Sequence, residues 1–272
     1  MRFVKRLIST WFVVAMLATT LAAQTIPEGK LPEHFQRMEF KVDGVMREAL
    51  VRVPASTQHS NAPVVFVFHG HGGNAHQAMR SFDIHDRWPE AIFVFMQGLN
   101  TPGQLTDSNG KRPGWQNRVG AQDDRDLKFF DAVFARLKIE NKVDTNRVYC
   151  TGHSNGGGFT YLLWAERGDM FAAVAPSAAV AAYVNRLKPK PAMHLAGKKD
   201  SLVKFTWQER MMNAEKKLNG CGETPTPWGD GGQLYESKTG TPFVTLIHGG
   251  AHELHPHAGE LIVKFFKEHP KQ

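Results

Sequence analysis

Short continuous runs of apolar residues alternate along this chain with longer stretches in which apolar residues recur every three or four positions. The short runs are rich in β-branched and aromatic side chains, which is typical of strands buried on both faces of a sheet. The predicted strands of this kind are 63–70, 91–98, 147–152, 171–178, 191–197 and 242–250. Residues 38–53 predict two further strands joined at Asp43-Gly44, a dipeptide that suits the positive backbone angles of a tight hairpin turn.

The longer stretches predict helices between these strands. One apolar stripe at helical spacing consists of Leu127, Phe130, Phe134 and Leu137. The other predicted helices are 74–87, 155–167, 203–218 and 259–269. Residues 98–122 are full of Gly, Pro, Asn and Asp and show no period, so they predict a long loop of the kind that is often functional. Strands that alternate with helices indicate an α/β fold, with a mostly parallel sheet and helices on both of its faces.

The first 23 residues differ from the rest of the chain. Three basic residues precede an apolar run over 7–17, and small residues follow up to Ala23. This order is typical of a secretory signal peptide, and the run is well short of the roughly 20 residues that span a bilayer, which disfavours an uncleaved membrane anchor. We therefore expect cleavage after Ala23, a single mature domain over 24–272, and a secreted or periplasmic protein without a membrane attachment.

Composition and charge narrow the class of function. Of the 272 residues, 42% are hydrophobic and 22% are charged, which fits a globular protein. Loss of the leader lowers the formal net charge of +7 by three units, and the remaining basic residues are scattered, so no nucleic-acid-binding stripe is predicted. The two cysteines, Cys150 and Cys221, allow one disulfide at most. Because Cys150 lies in an apolar strand, where a thiol usually acts as a small buried hydrophobe, we expect two free thiols.

The segment GHSNG at 152–156 matches the pattern G-x-S-x-G at the point where a predicted strand ends and a predicted helix begins. In that context the serine occupies a sharp, strained turn, and glycines allow neighbouring backbone to approach closely. The pattern predicts that Ser154 is a nucleophile. The alternative is a glycine-rich turn that carries an incidental serine.

A serine hydroxyl is a weak nucleophile, so it needs a base to accept its proton and an acid to orient that base. In this architecture the acid and then the histidine follow at the ends of later strands. Asp200 lies just past the predicted strand 191–197 and is the predicted acid, although it is also placed to cap the next helix. Asp169 and Asp230 are the alternative acids.

The predicted base is His252, in the loop that leaves the last predicted strand. It follows Gly249-Gly250-Ala251, which lets the backbone turn towards the serine. The other histidines of this stretch are His248, His255 and His257. The segment HELHPH does not match the zinc-binding pattern H-E-x-x-H, so we expect no metal ion there.

Acyl transfer also needs hydrogen-bond donors for the oxygen that becomes negative in the tetrahedral intermediate. We expect the backbone N–H of Asn155 to be one donor and that of His71 to be the other, with Gly72 as the near alternative. Three residues are predicted to line a substrate cleft, with simple packing as the alternative for each. They are Trp115, His153 and Trp228.

Together these segments resemble the α/β-hydrolase fold, and more narrowly the secreted poly(3-hydroxybutyrate) depolymerase-like and feruloyl esterase-like group. The stretches that carry the resemblance are VVFVFHGHGGNA, GWQN, DTNRVYCTGHSNGGGF, FAAVAP, LAGKKDSLV and HGGAHELHP. The resemblance implies a cofactor-free serine hydrolase of carboxylic esters, in which Ser154 matches the nucleophile, Asp200 the acid and His252 the base. The family's histidine is often followed closely by Trp-Pro, whereas Glu253-Leu254-His255 precede Pro256 in this chain.

The sequence therefore predicts an exported esterase that forms an acyl-enzyme on Ser154 and resembles feruloyl and acetylxylan esterases. Its partner would be a small or polymeric ester. A polyester depolymerase is the first alternative, and a serine peptidase is a second. A binding protein that has lost catalysis is disfavoured because all three predicted catalytic residue types are present.

Overall fold

A computed structural model describes residues 31–58 and 60–271 of the chain. The predicted signal peptide, 1–23, lies outside the described residues. The strands are β1 (Phe35–Val42), β2 (Val45–Arg52), β3 (Ala62–Phe68), β4 (Ile92–Met96), β5 (Leu99–Asn100), β6 (Pro113–Gly114), β7 (Val143–His153), β8 (Ala173–Ser177), β9 (Ala192–Gly197), β10 (Thr226–Trp228), β11 (Gly232–Tyr235) and β12 (Phe243–His248). The α-helices are α1 (Ala75–Phe82), α2 (Arg125–Glu140), α3 (Asn155–Arg167), α4 (Phe205–Leu218) and α5 (Ala258–Glu268). Among the residues described, no helix combines the length and the apolar character that a membrane span requires.

Ten strands form one sheet in the order β1-β2-β4-β3-β7-β8-β9-β12-β11-β10. Six adjacent strands of this sheet, β4, β3, β7, β8, β9 and β12, run parallel to one another. Antiparallel strands flank this group on both sides. The sheet is therefore mostly parallel, as the sequence predicts. The carboxyl ends of β7, β9 and β12 therefore lie at one edge, which is where ligand sites of open α/β sheets form.

Helices cover both faces of the sheet. Helices α2, α3 and α4 pack on one face, where Phe66 of β3 contacts Phe130 of α2. Helices α1 and α5 pack on the other face together with Val67, the next residue of β3. Because successive side chains of a strand point to opposite faces, a strand between two helix layers must be apolar at every position. The continuous apolar runs of the sequence arise in this way.

The structure corrects three details of the predicted elements. Helix α1 ends at Phe82 because Asp83 adopts a left-handed conformation, with φ of 45°, so residues up to 87 do not continue the helix. The predicted loop 98–122 contains the short antiparallel pair β5 and β6. The hairpin of β10 and β11 extends the sheet beyond β12, although its short segments carry no alternating pattern.

Candidate active site

Ser154 occupies the turn between β7 and α3. Its backbone angles, φ of 57° and ψ of −122°, are strained for a residue with a side chain. The surrounding structure fixes this conformation, since the Ser154 N–H donates to the carbonyl of Ser177 at 2.9 Å and the Ser154 carbonyl accepts from Gly158 N–H at 2.9 Å. The hydroxyl is thus presented at the carboxyl edge of the sheet.

The glycines around Ser154 are required by close backbone contacts. A Cβ atom at Gly152 would lie under 3.0 Å from the carbonyl of Gly156, and one at Gly156 would lie under 3.0 Å from the carbonyl of Phe68. A Cβ atom at Gly157 would lie 2.6 Å from the Ser177 carbonyl oxygen. Gly158 differs from these three, because a Cβ atom there would meet nothing within 4 Å.

The structure brings Ser154, Asp200 and His252 together. His252 Nε2 lies 2.8 Å from Ser154 Oγ, and His252 Nδ1 lies 2.8 Å from Asp200 Oδ2. The three residues follow the ends of β7, β9 and β12. The parallel pairing of β9 with β12 places Gly197 opposite His248, so the loops that carry Asp200 and His252 leave the sheet side by side. Lys199 N–H donates to the Gly250 carbonyl at 2.9 Å and ties these loops together.

The Asp200 side chain is completely buried and accepts four hydrogen bonds. Its Oδ1 accepts from the backbone N–H groups of Leu202 and Val203, each at 2.9 Å. Its Oδ2 accepts from Gln208 Nε2 at 3.0 Å and faces His252. Four bonds fill the acceptor sites of a carboxylate, so the orientation of this group is fixed.

The alternative acids lie elsewhere. Asp169 is in the turn after α3, where its carbonyl accepts a hydrogen bond from Lys271 Nζ. Asp230 follows β10, and its carboxylate lies 3.8 Å from the imidazole of His257.

Two backbone N–H groups were predicted to stabilise an oxyanion. Asn155 is the first residue of α3, so its N–H has no partner within the helix. The Gly72 N–H is engaged, because it donates to the Pro113 carbonyl at 2.7 Å, which leaves His71 as the better candidate of that pair. The Asn155 side chain is held by both backbone groups of Trp115: its Oδ1 accepts from the N–H at 2.6 Å and its Nδ2 donates to the carbonyl at 3.0 Å.

Residues 99–114 form a segment, here called the flap, that closes one side of the site. The flap begins with β5 and ends with β6, and its Asp107 Oδ2 lies 3.0 Å from His71 Nε2. Asp107 also accepts hydrogen bonds from the backbone N–H groups of Lys111 and Arg112. These bonds, the Lys111 N–H first and the His71 imidazole second, lower the pKa of Asp107.

A cavity of about 330 Å³ opens beside the Ser154 hydroxyl. Its lining is mainly apolar, with a few polar groups, as is usual for small-molecule sites. Apolar contributions come from Leu105, Val180, Leu202 and Trp207, and polar ones from Gln104 and Asn117. Sequence reasoning missed all six residues. They come from the flap, from the loop after β6, from the segment after β8, from the loop before α4 and from the first turn of α4, and only the tertiary fold brings these segments together.

The three residues predicted to line a cleft have different positions. His153 lines the cavity, and its ring centroid lies 4.9 Å from that of His252. Trp115 contributes to the lining but is only 1% exposed, and its indole stacks on Phe159. The prediction for Trp228 is wrong, since this residue lies on β10 at the far end of the sheet and its Nε1 donates to Glu268 of α5.

Burial lowers the pKa of two histidines near the site, His153 and His69. Burial, and next the neighbouring His252, lowers the pKa of His153 to about 4. Burial likewise lowers the pKa of His69 to about 4, and the His69 ring lies in hydrogen-bond contact with the Gly70 carbonyl and accepts from the Gly98 N–H. Both imidazoles are therefore neutral at pH 7.

The remaining histidines of the last loop contact one another. The ring of His255 packs edge-on against those of His248 and His257. Within residues 31–58 and 60–271, no group of three or more His, Cys, Asp or Glu side chains is arranged to hold a metal ion. Both thiols are free, with Cys150 buried and Cys221 partly buried.

The chain is similar in sequence to known hydrolases. Residues 115–217 match the model of the prolyl oligopeptidase family. The chain is 25% identical to feruloyl esterase D of Neurospora crassa over 88% of this chain and 85% of that protein. It is 26% identical to a probable feruloyl esterase C of Aspergillus oryzae over 65% of this chain and 64% of that protein, slightly under two thirds of the relative's length.

Solved structures agree in fold. The feruloyl esterase module from Clostridium thermocellum, determined as a complex with sinapinate, superposes with a TM-score of 0.60 at 11% identity over 90% of this chain and 92% of that one. A thermostable esterase superposes with a TM-score of 0.61 at 17% identity over 88% and 64% of the two chains. The chain therefore has the α/β-hydrolase fold and is similar to the feruloyl esterases.

Proposed function

We propose that this chain cleaves carboxylic esters through an acyl-enzyme on Ser154, and that its natural esters carry an aromatic acyl group of the feruloyl kind. The observation that supports the first part is the continuous contact from Ser154 Oγ to His252 and on to Asp200, with 2.8 Å at each step. These distances are within the range needed for direct proton transfer.

The reaction begins when His252 Nε2 accepts the Ser154 proton while Oγ attacks the ester carbonyl carbon. The imidazolium that forms is stabilised by the buried Asp200 carboxylate beside Nδ1. When the tetrahedral intermediate collapses, the bond to the alcohol oxygen breaks, and His252 returns the proton to the departing alcohol. A water molecule then attacks the acyl-enzyme with the same base, which releases the acid and restores Ser154.

The negative oxygen of the tetrahedral intermediate needs donors that are already oriented before the reaction begins. The N–H groups of Asn155 and His71 take this role. Each donor of this type contributes a factor of roughly 10²–10³ to kcat in serine hydrolases. The hydrogen bonds of the Asn155 amide to Trp115 fix the first donor, and the contact of His71 with Asp107 supports the second.

The size and lining of the cavity support an aromatic acyl group over an acetyl group. A volume of about 330 Å³ is at the lower end of the range for small-molecule sites, and an acetyl group would leave most of it unfilled. The half-buried indole of Trp207 offers an aromatic face. The relatives named feruloyl esterase are consistent with this choice.

The function is tested with purified protein on methyl ferulate, p-nitrophenyl acetate, acetylated xylan and hydroxybutyrate oligomers. We expect the highest kcat/KM on methyl ferulate and no turnover by Ser154→Ala. Ser56→Ala, an exposed serine in a surface turn, serves as the matched control and should retain full activity. Undiminished hydrolysis by Ser154→Ala would refute the acyl-enzyme, and a clear preference for acetylated xylan or for the oligomers would refute the aromatic acyl group.

We also propose that residues 1–23 direct export of this enzyme. The basic residues followed by an apolar run and small residues support this proposal. N-terminal sequencing of protein recovered outside the cytoplasm should begin at Gln24. Recovery of the uncleaved chain from the cytoplasm alone would contradict it.

A further inference from the structure

A line of buried polar side chains extends from Asp200 into the protein, away from the substrate cavity. Its members are Gln208 and Glu215 of α4, His194 of β9 and Tyr161 of α3, and all are 0% or 1% exposed. The proposed mechanism uses none of them. Burial of polar side chains costs free energy unless they are hydrogen-bonded, and three of these four, Gln208, His194 and Tyr161, are in hydrogen-bond contact with one another.

The protons along this line can be assigned from the acceptors. The Gln208 amide nitrogen faces two acceptors, Asp200 Oδ2 at 3.0 Å and the Val203 carbonyl at 2.7 Å, so it donates to both. The Gln208 amide oxygen must then face a donor. It lies 3.3 Å from His194 Nε2, which therefore carries a proton.

The other side of the His194 ring is also held. Nδ1 lies 2.7 Å from the Tyr161 hydroxyl and 3.6 Å from Glu215 Oε2. Burial, followed by the proximity of Glu215, raises the pKa of Tyr161 well above its usual value, so the phenol stays protonated. Contacts at both ring nitrogens fix the plane of the imidazole and hence the side of Gln208 that faces Asp200.

From this geometry, and resting on the proposed function, we propose that Gln208 is a positioning residue. It is held in place by its contact with His194, and its hydrogen bond to Asp200 keeps that carboxylate oriented towards His252. Asp200 Oδ2 has one donor on each side, Gln208 at 3.0 Å and His252 at 2.8 Å. Removal of Gln208 leaves one side of this oxygen without a donor, so the position of Oδ2 relative to His252 is less firmly held. Gln208 is not among the cavity-lining residues, so its loss should act on the chemical step rather than on substrate binding.

The test uses Gln208→Met, which keeps the length of the side chain and removes both donors and the acceptor. We expect kcat on methyl ferulate to fall roughly tenfold to a hundredfold, as for other small displacements of catalytic groups, with KM within about twofold of the wild-type value. Met211→Leu, a conservative change at another buried position of the same helix, is the control and should keep kcat within about twofold. The melting temperature of each variant shows that the assay measures folded protein.

A double-mutant cycle with His194→Leu tests the bracing role. If His194 acts through Gln208, the double variant should lose no more kcat than Gln208→Met alone, because coupled residues are not additive. Should Gln208→Met not fold, Gln208→Asn replaces it, because its side chain is one methylene shorter and its amide no longer reaches Asp200. The same fall in kcat is expected, and an unchanged kcat would overturn the positioning role. In the double variant, fully additive losses of kcat would overturn the bracing role.

The positioning role is overturned if folded Gln208→Met keeps kcat within about twofold, or if Met211→Leu loses as much kcat. Its failure is distinguishable from failure of the proposed function. If only the positioning role fails, Ser154→Ala is still inactive. If the proposed function fails, Ser154→Ala itself retains turnover.

Discussion

The Asp107 carboxylate of the flap and the His71 imidazole lie in hydrogen-bond contact, with Oδ2 3.0 Å from Nε2. This contact joins two segments that are far apart in sequence, the flap and the loop after β3. The next residue along, Gly72, donates its N–H to Pro113 at the end of the flap. The peptide that presents the His71 N–H is therefore held by the flap on two sides.

The first prediction follows from this contact. Asp107→Ala should lower kcat on methyl ferulate roughly tenfold, less than the 10²–10³ that accompanies outright loss of an oxyanion donor, since the His71 N–H remains but is no longer held. Affinity for a boronic acid that mimics the tetrahedral intermediate should fall in parallel. Asp86→Ala, at an exposed carboxylate, is the matched control. Weaker binding of the boronic acid without any change in kcat would contradict the role of Asp107.

The second prediction compares two glycines of one helix. Gly156→Ala should severely destabilise the protein, because the added Cβ atom meets the backbone carbonyls of Phe68 and His69, which cannot move aside. Gly158→Ala should be tolerated and should raise the free energy of unfolding by up to about 1 kcal/mol, since alanine favours a helix more than glycine does. Urea unfolding followed by circular dichroism measures both. Equal stability of the two variants would contradict the steric argument.

The third prediction concerns stability and pH. The pKa of the partly buried His153 is about 4 in the folded protein, against about 6.5 in the unfolded chain, so between these values the unfolded state binds more protons. The free energy of unfolding should therefore be highest above pH 6.5 and fall as the pH decreases towards 4, by on the order of 3 kcal/mol from this residue.

Urea unfolding at pH 7.5 and pH 4.5 tests the effect of His153. The difference between the two pH values should be smaller in His153→Gln than in the wild type, while the exposed His257→Gln leaves it unchanged. His69, whose pKa is also about 4, should contribute separately in the same direction. An unaltered pH difference in His153→Gln would show that this imidazole does not titrate as expected.

The fourth prediction concerns the acyl group. Trp207→Ala should reduce kcat/KM on methyl ferulate more than on p-nitrophenyl acetate, roughly tenfold in the ratio, because an aromatic contact of about 1 kcal/mol is lost together with apolar area. Trp228→Phe alters a tryptophan outside the cavity and should leave this ratio unchanged. A ratio that is the same in Trp207→Ala and wild type would place the acyl group elsewhere.

Much of the fold follows from local patterns in the chain. The buried strands are visible as apolar runs because the sheet is covered on both faces, and the turn at Ser154 is visible because three neighbouring positions exclude a side chain. Asp200 and His252 are predicted from the strands that directly precede them, and the structure places both in one chain of contacts with Ser154. The end of α1 was misplaced, since the left-handed turn at Asp83 has no glycine to signal it.

The parts that could not be predicted depend on contacts between distant segments. Gln208 and His194 belong to a helix and a strand with no local sign of function, and only the packing of α4 against β9 brings them to Asp200. Trp207 and Leu105 belong to distant parts of the sequence and line the same cavity. Trp228 was assigned to a cleft because aromatic residues are common there, but its packing against α5 could not be seen without the β10–β11 hairpin.

The parallel pairing of β12 with β9 brings His252 to Ser154, and β12 is the last strand of the sheet in chain order. The ribosome completes the strained serine turn and the acidic partner first, and the imidazole is added only with the segment that follows β12. Until that segment has docked beside β9, the nascent polypeptide holds a hydroxyl with no group to remove its proton. Under the proposed mechanism, a chain that ends before this segment would not hydrolyse esters.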